Sequence, residues 1–227
     1  MYDFLFLFTL LDLYMKKFEN FNIIDHPLIK HKIRLIRDKK TGHQLFRDLV
    51  NEVGTLIAFE ITRDLKSSIV NIDTPLEKTT GTKVNGENII IVPILRAGLG
   101  MVDGLIKLIP NARIGYVGME RNEKTHQPSH YYFKIPKKNI EKRSFIIIDP
   151  MLATGGTAIE TIKYLKKLGA KDIKFMCLIA APEGTKALCE SHPDIKVFAA
   201  TLDKKLNKNK YIIPGLGDAG DRLFGSD

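Results

Sequence analysis

A carboxylate at the end of an apolar run, followed by small residues and then a helix, can be folded into a grip for an anionic ligand. The stretch Phe145-Ile146-Ile147-Ile148-Asp149-Pro150-Met151-Leu152-Ala153-Thr154-Gly155-Gly156-Thr157-Ala158 has that form. Gly155 and Gly156 let the backbone close on a ligand, so that several N–H groups at a helix N-terminus point at one anion. Thr154 and Thr157 add hydroxyl donors. No lysine follows the glycines and no G-x-G-x-x-G spacing is present, which sets the loop apart from nucleotide-kinase and dinucleotide loops. The plainer alternative is an ordinary turn whose threonines and glycines cap a helix. The terminal Asp149, the paired glycines and the flanking threonines together favour the phosphate cradle.

The elements around this loop are legible from periodicity. Ile159, Ile162, Leu165 and Leu168 form a helical stripe, Gly169 stands at the C′ position, and Lys163, Lys166 and Lys167 lie toward the negative end. Leu45, Phe46, Leu49, Val50, Val53, Leu56, Ile57 and Ile61 return at spacings of three and four, which predicts a helix between His43 and Leu65. Short β-branched runs at 88–95, 113–117, 144–149, 173–180 and 196–202 alternate with helical segments at 99–109, 157–168 and 184–191. Phe145–Ile148 is apolar without alternation, as a strand covered on both faces requires. The pattern predicts an α/β fold with a mostly parallel twisted sheet flanked by helices. Between Val117 and Ile135 the alternation stops. Two extended arms around a polar tip there predict a projecting β-hairpin, long enough to serve as a lid.

Composition narrows the function classes. The 227 residues are 44% hydrophobic and 27% charged, which excludes a disordered or collagen-like chain. Lys+Arg outnumber Asp+Glu by 35 to 26, a formal +9, but the 26 lysines and 9 arginines are scattered rather than gathered. That reads as a solvated basic surface, with no nucleic-acid partner expected. Cys177 and Cys189 form no disulfide framework and are expected to be reduced thiols. The histidines show no ligand spacing, and Pro128 between His126 and His130 argues against a shared helix face, so no protein metal cage is expected. The apolar run Phe4–Leu11 has no basic region before it, no cleavage pattern after it and too few residues to span a bilayer. With Met15-Lys16-Lys17 following, it reads as an upstream in-frame extension. A cytoplasmic protein with no membrane attachment is expected.

These residues resemble the phosphoribosyl diphosphate-binding loop of the type I phosphoribosyltransferases. Many members of that superfamily carry two adjacent acids where this chain has Asp149-Pro150, and the departure is similar to the uracil phosphoribosyltransferase branch. The likeness continues through Asp25–Lys32, Pro93-Ile94-Leu95-Arg96-Ala97-Gly98-Leu99-Gly100-Met101, Ala180–Gly184 and Tyr211-Ile212-Ile213-Pro214-Gly215-Leu216-Gly217-Asp218-Ala219-Gly220-Asp221-Arg222. It spans about 21–227, which is expected to be one domain with a small hood, and leaves 1–20 outside as an extension.

The resemblance implies transfer of phosphoribosyl from 5-phosphoribosyl 1-diphosphate to N1 of uracil, giving UMP and diphosphate. Mg²⁺ would accompany the diphosphate, held mainly through substrate oxygens and water. The loop of Asp149, Pro150, Met151, Leu152, Ala153, Thr154, Gly155, Gly156 and Thr157 would hold the sugar phosphate, with Asp149 on the ribose hydroxyls beside the developing positive charge. Arg96 would grip the diphosphate with its forked guanidinium, and Arg121, in the hairpin, would close over it; Asp149 and Arg121 are the implied catalytic residues. Ile212, Gly217, Asp218 and Ala219 would read the base, Asp218 also standing near the diphosphate. Family members form dimers or larger assemblies, some are activated by GTP, and homo-oligomerisation is expected here, with the GTP response left open. Two other readings compete: a regulator using this fold to bind RNA, and a nucleotide kinase. The scattered lysines and uracil-type tail weigh against the first, the missing Walker lysine against the second.

Overall fold

A computed structural model of the chain describes residues 18–121 and 128–226, without the side chains of 120, 121 and 128–130. The extension is therefore described only from Phe18, which is buried, while the Asn20 side-chain amide donates to the Ile195 carbonyl at 2.9 Å. Phe18 and Asn20 thus both contact the domain that follows.

The strands are β1 (Phe21–Ile23), β2 (Ser67–Asp73), β3 (Lys78–Val84), β4 (Ile89–Leu95), β5 (Arg113–Ile114), β6 (Tyr116–Arg121), β7 (Pro128–Lys134), β8 (Ser144–Ile148), β9 (Met151–Leu152), β10 (Asp172–Ala180), β11 (Lys196–Leu202), β12 (Lys205–Leu206) and β13 (Ile212–Ile213). The helices are α1 (Pro27–Arg37), α2 (His43–Ile61), α3 (Val102–Leu108), α4 (Gly156–Lys167), α5 (Pro182–Ser191) and α6 (Ala219–Phe224). The main sheet runs in the order β1-β11-β10-β8-β4-β6-β7, parallel throughout except for β7.

Alternate residues of the central strands enter two separate cores, which explains their unbroken apolar character. Ile89, Ile91, Ile146, Ile148, Met176 and Leu178 pack on one face with α1, α2 and α3. Ile90, Val92, Phe145, Ile147, Phe175 and Cys177 pack on the other with α4 and α5. Both cysteines are buried free thiols.

The expected strands and helices appear within a few residues of their sequence positions, with one change of form: 97–101 is a 3-10 turn before α3 begins at Val102. The hairpin expected between Val117 and Ile135 is the antiparallel pair β6–β7, with a register shift at Gly118/Met119. It forms the edge of the main sheet, and its tip lies outside the described residues.

A second hairpin, β2–β3, forms a separate two-stranded arm. Every residue of its strands is exposed except Val70 and Gly81, which are half-buried. With neither face on the core, it has no apolar alternation, which is why periodicity gave no strand there. The short pair β12–β13 is the hood near the C-terminus.

Candidate active site

The site lies where neighbouring strands send their helices to opposite faces. Pro93 of β4 pairs with Ile148 of β8, so the residues that follow leave the sheet side by side at its carboxyl edge. After β4 the chain turns into α3 on one core, and after β8 into α4 on the other. Such a switch point opens a crevice between the two departing loops. Asp149 stands on one side of it and Arg96 on the other.

The Asp149 loop is fixed by backbone bonds to the adjacent strand. Asp149 N–H donates to Met176 O at 3.2 Å, and Pro150 O accepts from Leu178 and Ile179 N–H at 3.0 and 3.1 Å. Met151 and Leu152 pair with Ile179 and Ala180, and Leu152 O accepts from Ala181 N–H at 2.9 Å. Gly155 then takes φ +82 at the N-cap of α4, a conformation side chains resist. From below, α5 presses against the loop at Gly184, where a Cβ would stand 2.4 Å from Ala153 O. The result is a hollow of about 60 Å³ lined by Asp149, Met151, Leu152, Ala153, Thr154, Gly155, Thr157 and Ala158. Of the loop residues expected in the grip, Gly156 and Pro150 are outside that lining. Gly156 begins the helix, and Pro150 is buried with its carbonyl committed to β10.

Asp149 is half-buried, and its carboxylate accepts a backbone hydrogen bond from Met151 N–H at 3.3 Å. Desolvation outweighs that bond and pushes its pKa up to about 7. No guanidinium or ammonium is paired with it among the described ion pairs. A carboxyl poised near neutrality can present either a donor or an acceptor to a sugar hydroxyl.

Across the crevice, the Arg96 loop folds back tightly because Gly98 has no side chain. A Cβ there would lie 2.6 Å from Ile148 O. The exposed Arg96 guanidinium reaches the C-terminal tail, with Nη2 at 3.3 Å from Asp221 Oδ1. Asp218 Oδ1 accepts from Asp221 N–H at 3.0 Å and caps α6. The tail is thereby brought against the arginine. Gly217 holds φ +85, Ile212 and Ala219 are buried, and Asp218 is exposed. Arg121 ends β6, and its side chain lies outside the described residues.

Several residues that shape the crevice carried no role in the sequence. Asp221 pairs with Arg96, as above. Arg222 donates to the carbonyls of Ile36, Leu216 and Asp38 at 2.6, 2.7 and 2.8 Å and lies over the Phe46 ring. Glu183 accepts from Leu206 N–H of the hood at 2.9 Å, and Arg37 and Asp203 meet beneath Gly215. Most of these links join positions far apart in the chain, where no spacing rule applies.

A family model described as uracil phosphoribosyltransferase matches residues 23–226. The uracil phosphoribosyltransferase of Listeria innocua is 56% identical over 207 residues, covering 91% of this chain and 99% of that protein. That of Anoxybacillus flavithermus is 58% identical over 204 residues, covering 90% and 97%. Among solved structures, the AQ2163 protein of Aquifex aeolicus superposes with a TM-score of 0.86 at 36% identity, covering 91% of this chain and 99% of that one. The adenine phosphoribosyltransferase of Trypanosoma brucei, at 12% identity and a TM-score of 0.55, shares the fold. With its two-faced parallel sheet, its loop at the switch point and a match over nearly its whole length, the chain belongs to the uracil phosphoribosyltransferase family.

Proposed function

We propose that the chain makes UMP and diphosphate from uracil and 5-phosphoribosyl 1-diphosphate in the crevice between the Asp149 loop and the Arg96 loop. The observation that carries this reading is the convergence there of a hollow lined by the Asp149 loop, an arginine and a turn-rich tail. The 5′-phosphate sits in the hollow of Ala153–Thr157, at the N-terminus of α4. Arg96 exchanges its contact with Asp221 for diphosphate oxygens. Uracil N1 bonds to C1′ as the C1′–O bond breaks, diphosphate leaves with the bonding electrons, and the N1 proton is released. Asp149 holds the ribose hydroxyls and, as a carboxylate, offsets charge on the sugar as the bond opens. Arg121 closes over the diphosphate from the β6–β7 edge and excludes water. The base faces Ile212 and Gly217–Ala219, whose backbone groups match its two carbonyls and N3–H. Pro150 leaves a single side-chain carboxylate for the ribose.

Among the described residues, no cluster of three or more potential metal ligands occurs. Asp149 and the Asp218–Asp221 end of the tail suit an ion that arrives on the diphosphate and keeps its waters. Held mainly by substrate oxygens and water, Mg²⁺ would offset negative charge on the leaving diphosphate. Incubation with uracil, phosphoribosyl diphosphate and Mg²⁺ tests the assignment: UMP is the expected product, and a protein that consumes another base in place of uracil would overturn it. Adding GTP to the same assay tests for an effector.

The exposed arm supports self-association. An isolated two-stranded hairpin is marginal in water, yet this one displays Ile69 (71% exposed) and Leu76 (96%), and Phe59 stands 62% exposed by its base. A second copy of the chain covers these side chains. Sedimentation should show a dimer or larger species, and a monomer would refute the assembly. Free buried thiols and the absence of any membrane-length helix among the described residues support a cytoplasmic setting.

A further inference from the structure

Asp203, the first residue after β11, is one of few buried polar or charged groups, and it lies outside the hollow and the tail. Its carboxylate takes a two-pronged ion pair from Arg37, at the end of α1: Nη1 donates to Oδ2 at 2.8 Å, and Nη2 donates to Oδ1. The same Oδ2 accepts the Gly215 N–H at 2.7 Å, while Arg37 Nη1 donates to the Gly215 carbonyl at 2.8 Å. One ion pair thus holds both backbone groups of a single glycine. Gly215 has φ +62, and a Cβ there would lie 2.2 Å from Ile212 O, so this turn brings the backbone onto the residue proposed to face the base. The strand side is anchored too: Asp203 N–H donates to Ala180 O at 2.8 Å, and Lys204 N–H to Ile213 O at 3.0 Å.

We propose that Arg37 and Asp203 are positioning residues for the nucleobase, setting uracil affinity by clamping the Ile212–Gly217 turn without touching substrate. A buried ion pair adds little net stability over apolar side chains of similar size. Its distinctive contribution here is geometric, because the planar fork of an arginine fixes direction as well as charge. The side-chain bonds of the pair go to Gly215 and none to the Asp149 loop, so its loss should leave the grip on the sugar phosphate largely unchanged. The inference rests on the proposed placement of the base at Ile212 and Gly217–Ala219.

The test is steady-state kinetics of the full chain with Asp203→Asn, Arg37→Gln and their combination, at a temperature where circular dichroism shows each folded. Losing a hydrogen bond to a charged group corresponds to roughly a 10–100-fold change. The KM for uracil should rise by that factor in each single variant, with the KM for phosphoribosyl diphosphate and kcat changing less than about threefold. The double variant should be no worse than the poorer single one, because the pair acts as a unit. Unchanged uracil KM in folded variants, equal losses for both substrates, or additive effects would overturn the clamp. Arg37→Lys, which keeps the charge and gives up the fork, must show the same split and is decisive where the others fail to fold. Gly217→Val separates the two ideas. If it too leaves uracil KM unchanged, the base is misplaced. If it alone raises that KM, the clamp is wrong and the base site stands.

Discussion

The loop Asp149–Thr157 takes its shape from its own strand, its own glycine at φ +82 and the β–α unit that follows, whereas the tail Tyr211–Arg222 is held by residues as much as 186 positions away. In the loop, backbone groups are spent on β10 and the start of α4, and the loop residues themselves line the hollow. In the tail, three guanidiniums provide the order: Arg37 on Gly215, Arg222 on Leu216, and Arg96 on Asp221. The difference matches what the proposed function asks each end to bind. A phosphate is satisfied by any concave array of N–H groups at a helix start, which a short segment can supply alone. A planar base with alternating acceptors and donor needs backbone groups at fixed angles, and a tail with few regular hydrogen bonds acquires much of that rigidity from side chains, several of them outside it.

The sharpest way to break this comparison is at its chemical centre. Asp149→Asn should leave the fold intact and lower kcat by about 10²–10³, the usual loss on removing a well-placed electrostatic group. Near-normal turnover would remove Asp149 from the mechanism.

At the tail, Gly217→Val should weaken uracil binding by roughly tenfold or more, since a non-glycine residue at positive φ is disfavoured by about 1–2 kcal/mol. The cause is the backbone rather than crowding at Cβ, which would meet its nearest neighbour, Arg222 Cδ, at an ordinary 3.7 Å. Calorimetry with each ligand should show phosphoribosyl diphosphate far less affected. Equal losses would erase the division between the two ends.

Gly184→Ala probes the loop from beneath. Its Cβ would lie 2.4 Å from Ala153 O and 2.9 Å from Leu152 O, both backbone atoms that cannot step aside freely. Overpacking of this kind is destabilising by about 1–3 kcal/mol. Binding of phosphoribosyl diphosphate should fall while uracil affinity holds, and the reverse pattern would assign α5 to the base.

The mildest effect is in pH. Burial raises Asp149 to about 7 from 3.8, so between those values the folded chain keeps a proton that the unfolded chain has lost. Stability from this group therefore decreases as pH rises from about 4 to about 7 and is level above. The difference in Tm between the parent chain and Asp149→Asn should narrow or reverse across that window. In the free enzyme, kcat/KM should rise with pH through about 7 if the carboxylate is the active form. An unchanged pH profile in the asparagine variant would assign that limb to another group.

The amino-acid sequence by itself determined the central strands, the helices that alternate with them and the loop. Apolar runs in Phe145–Ile148 and Phe175–Leu178 commit those strands to burial on both faces, and the glycines after Asp149 mark where the backbone can curl into the start of α4. Those are short-range consequences of period and backbone freedom, and they survive in one dimension. The order of strands, which places Arg96 beside the Asp149 loop, came only with the tertiary structure. So did the arm at Ser67–Val84, whose exposed faces leave no periodic trace, the grip of Arg37 and Asp203 on the tail, and the bond from Arg222 of the tail to the end of α1. Ion pairs and carbonyl contacts between distant segments have no spacing to read, because their geometry exists only after the sheet has brought α1, β11 and the C-terminus together.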